Sequence, residues 1–365
     1  MKECRVKDIC IKGSSNLKQK DVEGKKGLYP VYGASGIISS IDTYHQENEY
    51  IAIVKDGSGI GRVSFMPPKS SVIGTMQYIL PKEGYDIRYI GYCLQSLGLN
   101  KYKQGAAIPH IYFRDYGERN IVVSENINEQ RRIVSYLDSS FKLIDEIKNK
   151  ALKSLTEAKA LFQSALAEAM EPKEGTLMER IGDVFTTYAG GTPLKSQKDY
   201  YEGGEIPWLR SGEVCKKYIS ETELYITQKG MENSSAKFYP ENTVVVAMYG
   251  ATAAQVGILK IKATSNQAVC GIIPHKDFIP EYVYYWFLFV QDDLASQAQG
   301  GAQPNISQIK IKNVLIPIIN KEEQKRIVSH LDKLSSKVRD IEEKYQKMVE
   351  ECDALKQAML RDVFE

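Results

Sequence analysis

One ten-residue segment constrains this chain more than any other. EQRRIVSYLD at 129–138 returns as EQKRIVSHLD at 323–332, 194 residues later, with eight of ten positions identical. The offset then continues without a gap: Ile147 meets Ile341, Lys150 meets Lys344, Ala160 meets Ala354, Leu161 meets Leu355, Gln163 meets Gln357 and Leu166 meets Leu360. An unrelated pair of helices does not hold one offset over such a length, so the chain is an internal duplication. Shorter matches lie upstream. RVKDI (5–9) corresponds to RIGDV (180–184), YIAIVKDG (50–57) to TVVVAMYG (243–250), and QGAAIPHI (104–111) to QGGAQPNI (299–306). The repeat predicts a globular domain over 1–128, a helical region over 129–170, a linker and second globular domain over 171–322, and a second helical region over 323–365.

The helical regions carry a coiled-coil rhythm. Leu331, Leu334, Val338, Ile341, Tyr345, Met348, Cys352, Leu355 and Met359 alternate three and four apart. Leu137, Phe141, Ile144, Ala151, Leu155, Ala158, Phe162 and Ala165 do the same in the first region, with Lys148 as the one polar break. Such a seam asks for a partner helix. Two copies of one helix on one chain favour pairing within the molecule, because the association costs less entropy than joining two molecules. Neither region contains Gly or Pro, and Pro172 marks the end of the first.

The intervening segments read as β-rich α+β. Tyr50–Val54, Gln77–Leu80, Val244–Ala247 and Val269–Ile273 are short, β-branched or aromatic, and bounded by turn residues. IRYIGYCLQSL (87–97) and PEYVYYWFLFV (280–290) read as helices packed on the sheets. The expected fold is two globular β-rich domains separated by two long helices in an antiparallel intramolecular coiled coil, with pseudo-two-fold internal repetition.

Chemical motifs are scarce. Six dispersed cysteines form no CxxC pair, and four histidines do not cluster, so no zinc site is expected. GSGIG (57–61) lacks a full dinucleotide fingerprint and reads as hairpin glycines. GGTPLKSQ (190–197) lacks the spacing of a phosphate-binding loop, and no nucleophile elbow is present. No catalytic residue is assigned, and no cofactor is expected on this chain. No apolar run reaches the ~18 residues of a membrane span, so a cytoplasmic protein is expected.

Charge points to a different role. The net charge is only +2, but it is uneven: residues 1–128 hold 17 basic and 13 acidic side chains, whereas 171–322 hold 15 and 17. Each globular segment has local basic clusters beside aromatic and small polar residues. Lys18, Lys20, Lys25 and Lys26 precede Tyr29 and Tyr32, and Lys55 and Arg62 flank the glycine-rich hairpin. Lys195, Lys198, Arg210, Lys216 and Lys217 recur in the second segment beside Tyr200, Tyr201, Trp208 and Tyr218. Lys and Arg on protruding loops can meet phosphates and base edges, which makes these eleven residues the candidate DNA contacts.

With both EQ[RK]RIVxxLD copies in view, the chain resembles the specificity subunits of type I restriction–modification enzymes. KDICIKGSS (7–15), GDVFTTYAGGTP (182–193) and DGSGIGRV (56–63) are similar to segments of that family. The resemblance implies two target-recognition domains that read a bipartite double-stranded DNA sequence. It implies helices that dock two methyltransferase subunits, with restriction and translocase subunits as further partners. S-adenosylmethionine, ATP and Mg are then expected on those partners. A type IIB-like specificity subunit and a coiled-coil scaffold without sequence-specific binding are the competing readings. Glu at a helix start suits the macrodipole, but Gln and Arg are not explained that way. Glu129, Gln130, Arg132, Glu323, Gln324 and Arg326 are therefore expected to form a docking surface. The duplication also places the Glu365–Met1 junction where the 171–179 linker sits in the other half, and suggests that a half ending near Met170 pairs with itself.

Overall fold

The computed structural model describes residues 2–105, 109–297 and 305–364. Of the QGAAIPHI and QGGAQPNI loops, 106–108 and 299–304 lie outside the described residues. Two compact units result, one of residues 1–154 with 345–365 and one of residues 155–344.

In the first unit a four-stranded antiparallel sheet runs in the order Cys10–Ser14, Met76–Pro81, Tyr50–Val54, Val63–Met66. Its strand YIAIV is buried at every residue, which is why it reads as a continuous apolar run rather than an alternation. Ile51, Ile53 and Ile79 pack with Tyr89, Ile90, Cys93 and Leu94 of the helix Ile87–Ser96. Tyr50, Ala52 and Val54 pack with Val72, Met76 and Tyr78 in a separate cluster. The helix begins at Asp86, whose carboxylate accepts from Arg88 N (2.9 Å) and Tyr89 N (3.1 Å) and satisfies two otherwise unpaired donors. It approaches the sheet at Gly91, where a Cβ would stand 2.0 Å from the Phe65 ring. A smaller sheet orders Gly36–Ile41, Tyr29–Gly33 and Ser71–Val72, the last strand parallel to its neighbour. A ribbon pairs Lys2–Arg5 with Asn120–Val123.

The second unit repeats this plan. Thr187–Ala189, Val269–Ile272, Val244–Ala247 and Val256–Leu259 take the places of the four strands, and Tyr218–Ile219 adds a fifth, parallel to the last. Leu224–Ile226, Ile206–Leu209 and Thr264–Ser265 form the smaller sheet, and Met178–Arg180 pairs with Leu315–Pro317. Pro280–Phe289 corresponds to Ile87–Ser96. The glycines of 57–61 form the predicted hairpin: Gly57, Gly59 and Gly61 all have positive φ, and a Cβ on Gly59 would stand 2.8 Å from the Arg62 guanidinium.

The long helices span Ile127–Met170 and Lys321–Phe364. Each starts two residues before the sequence motif, because an asparagine precedes it. Asn126 Oδ1 accepts from Asn128 N, and Asn320 Oδ1 accepts from Glu323 N, both at 2.9 Å. The helices pair antiparallel. In the first unit Lys148 bonds Asp353 (2.6 Å) and Lys356 bonds Asp145 (2.6 Å); in the second, Lys159 lies 3.9 Å from Glu342. Moving eleven residues up one helix moves the partner eleven residues down the other.

The seam of the first helix is the expected one, but that of the second needs correction. Leu331, Val338 and Cys352 are buried as anticipated, whereas Ile341, Met348 and Leu355 are exposed. Glu342, Val349 and Lys356 lie further in at the neighbouring positions. Lys356 explains part of the shift, since it bonds Asp145 and its ammonium sits 5.2 Å from the Phe141 ring centre. A long lysine stem covers apolar surface while its head finds a charge, and an apolarity count does not register that.

Candidate functional site

Two residues of the repeated motif form a clasp between each long helix and its globular unit. Gln130 is fully buried. Its Oε1 accepts from Asp86 N (2.7 Å), and its Nε2 donates to Gly84 O (3.1 Å) and Ser124 O (2.8 Å). Gln324, also fully buried, repeats the set with Ile279 N (2.8 Å), Asp277 O (2.9 Å) and Ile319 O (3.0 Å). Eight residues on, Asp138 and Asp332 make the second grip. Asp138 accepts from Arg88 Nη2 (2.6 Å) and from the Tyr92 hydroxyl. Asp332 accepts from the Lys217 ammonium and from the Tyr285 hydroxyl (2.5 Å). Burial, together with the bond to Asp332, drives the Tyr285 phenol well above its ordinary range. Tyr92 and Tyr285 hold equivalent places in Ile87–Ser96 and Pro280–Phe289.

These contacts correct three expectations. Gln130 and Gln324 are not surface groups: each spends its whole amide on backbone inside its own unit. Lys217 is not a free DNA-binding cation either. It is committed to Asp332 and lies 4.5 Å from the Tyr285 ring centre. Glu129, Arg132, Glu323 and Arg326 remain at or near the surface. Glu129 accepts from Ser124 Oγ (2.5 Å). Arg326 pairs with Glu323 (2.7 Å) and holds its carboxyl down at about 2, helped by Lys173 at 3.7 Å. Glu323 and Arg326 border a cleft of about 780 Å³ together with Met170, Lys173, Asn320 and His330.

The remaining basic candidates divide into free and engaged groups. Lys18, Lys20, Lys25 and Lys26 are exposed at the start of, within and after the short helix Gln19–Val22, with no ion pair among the described residues. Arg62 is exposed, and its Nη1 donates to the Ala34 carbonyl (2.9 Å), with no acidic partner among the described residues. Lys55 lies 3.8 Å from Asp56, which also accepts from His110 (2.7 Å). Lys195 and Lys216 are exposed, and Lys198 makes only a loose contact with Glu202 at 3.9 Å. Arg210 departs from expectation: Glu213 (3.3 Å) and Glu223 hold its Nε and Nη2, so its guanidinium is already engaged by two carboxylates.

Arg210 nevertheless lines a cleft of about 430 Å³ with Lys195, Trp208, Thr192, Asn266 and Gln267. Asn and Gln side chains have the paired donor and acceptor that adenine's exposed edge requires. Asn266, Gln267 and Thr192 carry no signal in the sequence, because an uncharged pair and a threonine 74 residues before it are unremarkable until the fold brings them together. Thiol chemistry is muted. Burial raises Cys10 and Cys270 to about 12, so both stay protonated near neutral pH. Among the described residues no group of three or more His, Cys, Asp or Glu could hold a metal, and no helix is long and apolar enough to cross a membrane.

A family profile described as "Type I restriction modification DNA specificity domain" matches residues 1–157 and 174–351. The chain belongs to that family. Its two matched segments each contain one globular unit's strands and the start of a long helix, so the duplication is a duplication of the specificity domain. The type I restriction enzyme EcoR124I/EcoR124II specificity subunit of Escherichia coli is 26% identical over 269 residues, covering 70% of this chain and 65% of that protein. The MjaIX specificity subunit of Methanocaldococcus jannaschii is 31% identical over 159 residues, covering 42% and 36%. The chain thus spans less than two thirds of these relatives' length. A solved chain described under complex assembly and conformational transition of the type I R-M system shares the fold, with TM-score 0.76 at 17% identity over 98% of this chain and 96% of its own. The HsdS subunit of Thermoanaerobacter tengcongensis superimposes with TM-score 0.53 at 17% identity, covering 98% and 95%. The motif shared by the two specificity domains here is the clasp, since Gln130 with Asp138 and Gln324 with Asp332 join each domain to its helix.

Proposed function

We propose that this chain is the DNA sequence-specificity subunit of a type I restriction–modification complex. Each globular unit reads one half of a bipartite duplex target, and the chain performs no chemistry itself. The observation that carries the reading is the duplicated specificity domain, with each copy clasped at equivalent residues to its own long helix. Two copies with different loops suit two unlike half-targets. Lys18, Lys20, Lys25, Lys26, Lys55 and Arg62 serve the first half, and Lys195, Lys198 and Lys216 the second, beside the Thr192–Asn266–Gln267 cleft. Methyltransferase subunits dock on the motif residues at or near the surface, Glu129, Arg132, Glu323 and Arg326. S-adenosylmethionine, ATP and Mg belong to those and the restriction partners, in the cytoplasm.

The test is equilibrium binding to duplexes selected from a randomised pool, repeated over a salt series. A sequence-specific reader enriches one bipartite sequence and binds it far above random competitor. A scaffold gives salt-sensitive binding without enrichment. Within that assay Arg62→Ala is expected to weaken the cognate duplex by about 1–3 kcal/mol if the guanidinium reads a base, and to relax preference in one half-target. Arg210→Ala is expected to change affinity by less, because its carboxylate partners already hold it. Equal losses for the two variants, measured by titration, would remove this distinction.

A further inference from the structure

Opposite charges face each other across the helix pair in both units. In the first unit Lys148 of the first helix meets Asp353 of the second, and Asp145 meets Lys356. In the second unit Lys159 of the first helix faces Glu342 of the second. The 194-residue offset relates these positions to one another. Lys148 corresponds to Glu342, Lys159 to Asp353, Asp145 to Arg339, and Lys356 to Phe162. The same antiparallel register can therefore be applied to two copies of one helix.

Two first helices would set Lys148 of each copy against Lys159 of the other, and Asp145 against Phe162. Two second helices would set Glu342 against Asp353 and Arg339 against Lys356. By symmetry each of these contacts occurs twice. Each of these three contacts, attractive in the chain as it stands, becomes repulsive or loses its partner in either like pairing. Lys148 and Lys356 are only 26% and 21% exposed, so a like charge opposite Lys148 would be poorly screened.

We propose that these side chains specify pairing of the first helix with the second and exclude pairing of either with its own copy. Exposed ion pairs contribute little to stability. Selectivity is a difference, however, and here the attraction in one pairing and the repulsion in the others act in the same direction. The inference stands apart from the DNA reading. If that reading also holds, the code keeps two different recognition units in one particle and disfavours assemblies with two identical ones. It also reverses the sequence-based suggestion that a half ending near Met170 pairs with itself.

The experiment starts from the full chain. A protease site is placed between Glu174 and Gly175, in the turn between the two halves, and cut after folding. The nicked protein is unfolded in urea and refolded, and its species are counted by native mass spectrometry. Unlike pairs are expected to outnumber like pairs by about tenfold. Asp353→Lys should reduce unlike pairs and raise homodimers of the second piece, since Glu342 then meets the introduced lysine. A statistical mixture from the unmodified protein, or no change with Asp353→Lys, overturns the proposal. If the pieces do not refold, the intact chain decides. Lys148→Asp and Asp353→Lys should each lower the thermal midpoint, and the double variant should recover most of the loss. A double variant that shows only the sum of the two losses overturns the proposal as well.

Discussion

Gln324→Ala is expected to lower the stability of the second unit by about 2–4 kcal/mol, a loss visible as a drop of several degrees in thermal midpoint. The side chain is fully buried and makes three hydrogen bonds to backbone, at Ile279 N, Asp277 O and Ile319 O. Truncation leaves those backbone groups without partners in the interior and opens a cavity beside them, and each effect adds to the cost. Gln324→Glu isolates the polar part. The carboxylate still accepts from Ile279 N but meets two carbonyl oxygens with no donor, so it should destabilise about as much as alanine at neutral pH and less in acid, where protonation restores one donor. Gln130→Ala should act alike on the first unit. Arg132→Ala, on the exposed face of the same helical turn, should leave the midpoint within about 1 °C. Differential scanning calorimetry of the four variants checks the set. Equal effects of Gln130→Ala and Arg132→Ala would mean that the clasp does not hold the unit.

This contrast shows what was legible in the sequence. The duplication, the two long helices, the strands at 50–54 and 244–247 and the helices at 87–96 and 280–289 could all be read, because each rests on a local period or on a repeated string. The role of the motif could not. EQ[RK]RIVxxLD invites a docking interpretation because its Glu, Gln and Arg are polar on a helix, and polar helical residues usually face solvent, but the two glutamines do not. Here they face segments some 45 residues away in sequence, such as Asp86 and Ile279, whose backbone groups need partners. Only the tertiary fold supplies that need. The same limit applies to Lys217. It lies in a basic stretch, yet the added strand Tyr218–Ile219 carries it to Asp332. The cleft with Asn266 and Gln267 was equally invisible, since its lining comes from separate strands and loops. The second seam failed for another reason. Lys356 and Glu342 lie inward through ion pairs and stem packing, so a pattern based on apolar residues chose their neighbours Leu355 and Ile341.

A circularly permuted chain, opened within 171–177 and joined from Glu365 to Met1, is expected to fold to the same two units with a thermal midpoint within a few degrees of the parent. The argument lies inside each unit. In the first, the strand that begins at Lys2 pairs with Asn120–Val123, and Phe364 packs on Tyr89 at 5.2 Å between ring centres. The Tyr89 hydroxyl accepts from Ser124 N (3.0 Å), one residue beyond that ribbon, so the ribbon and Phe364 belong to one corner of one unit. In the second unit Leu166 and Met170 occupy the places of Leu360 and Phe364, buried in the core with Ile181 and Tyr282. There the chain continues through 171–177 into the ribbon strand Met178–Arg180. Arg180 corresponds to Arg5, so Met178 corresponds to Glu3. Seven residues bridge Met170 and Met178, while Glu365, Met1 and Lys2 supply three between Phe364 and Glu3. About four added residues of Gly and Ser should therefore close the ring at little entropic cost. A one-residue join should strain the ribbon and lower the midpoint further, so a series of linker lengths with a plateau from about four residues onward is the expected result. A permuted chain that loses the Tyr89–Phe364 contact, seen as a selective loss of amide protection in 120–124 and 355–364 by hydrogen exchange, would place the ends too far apart for this arrangement.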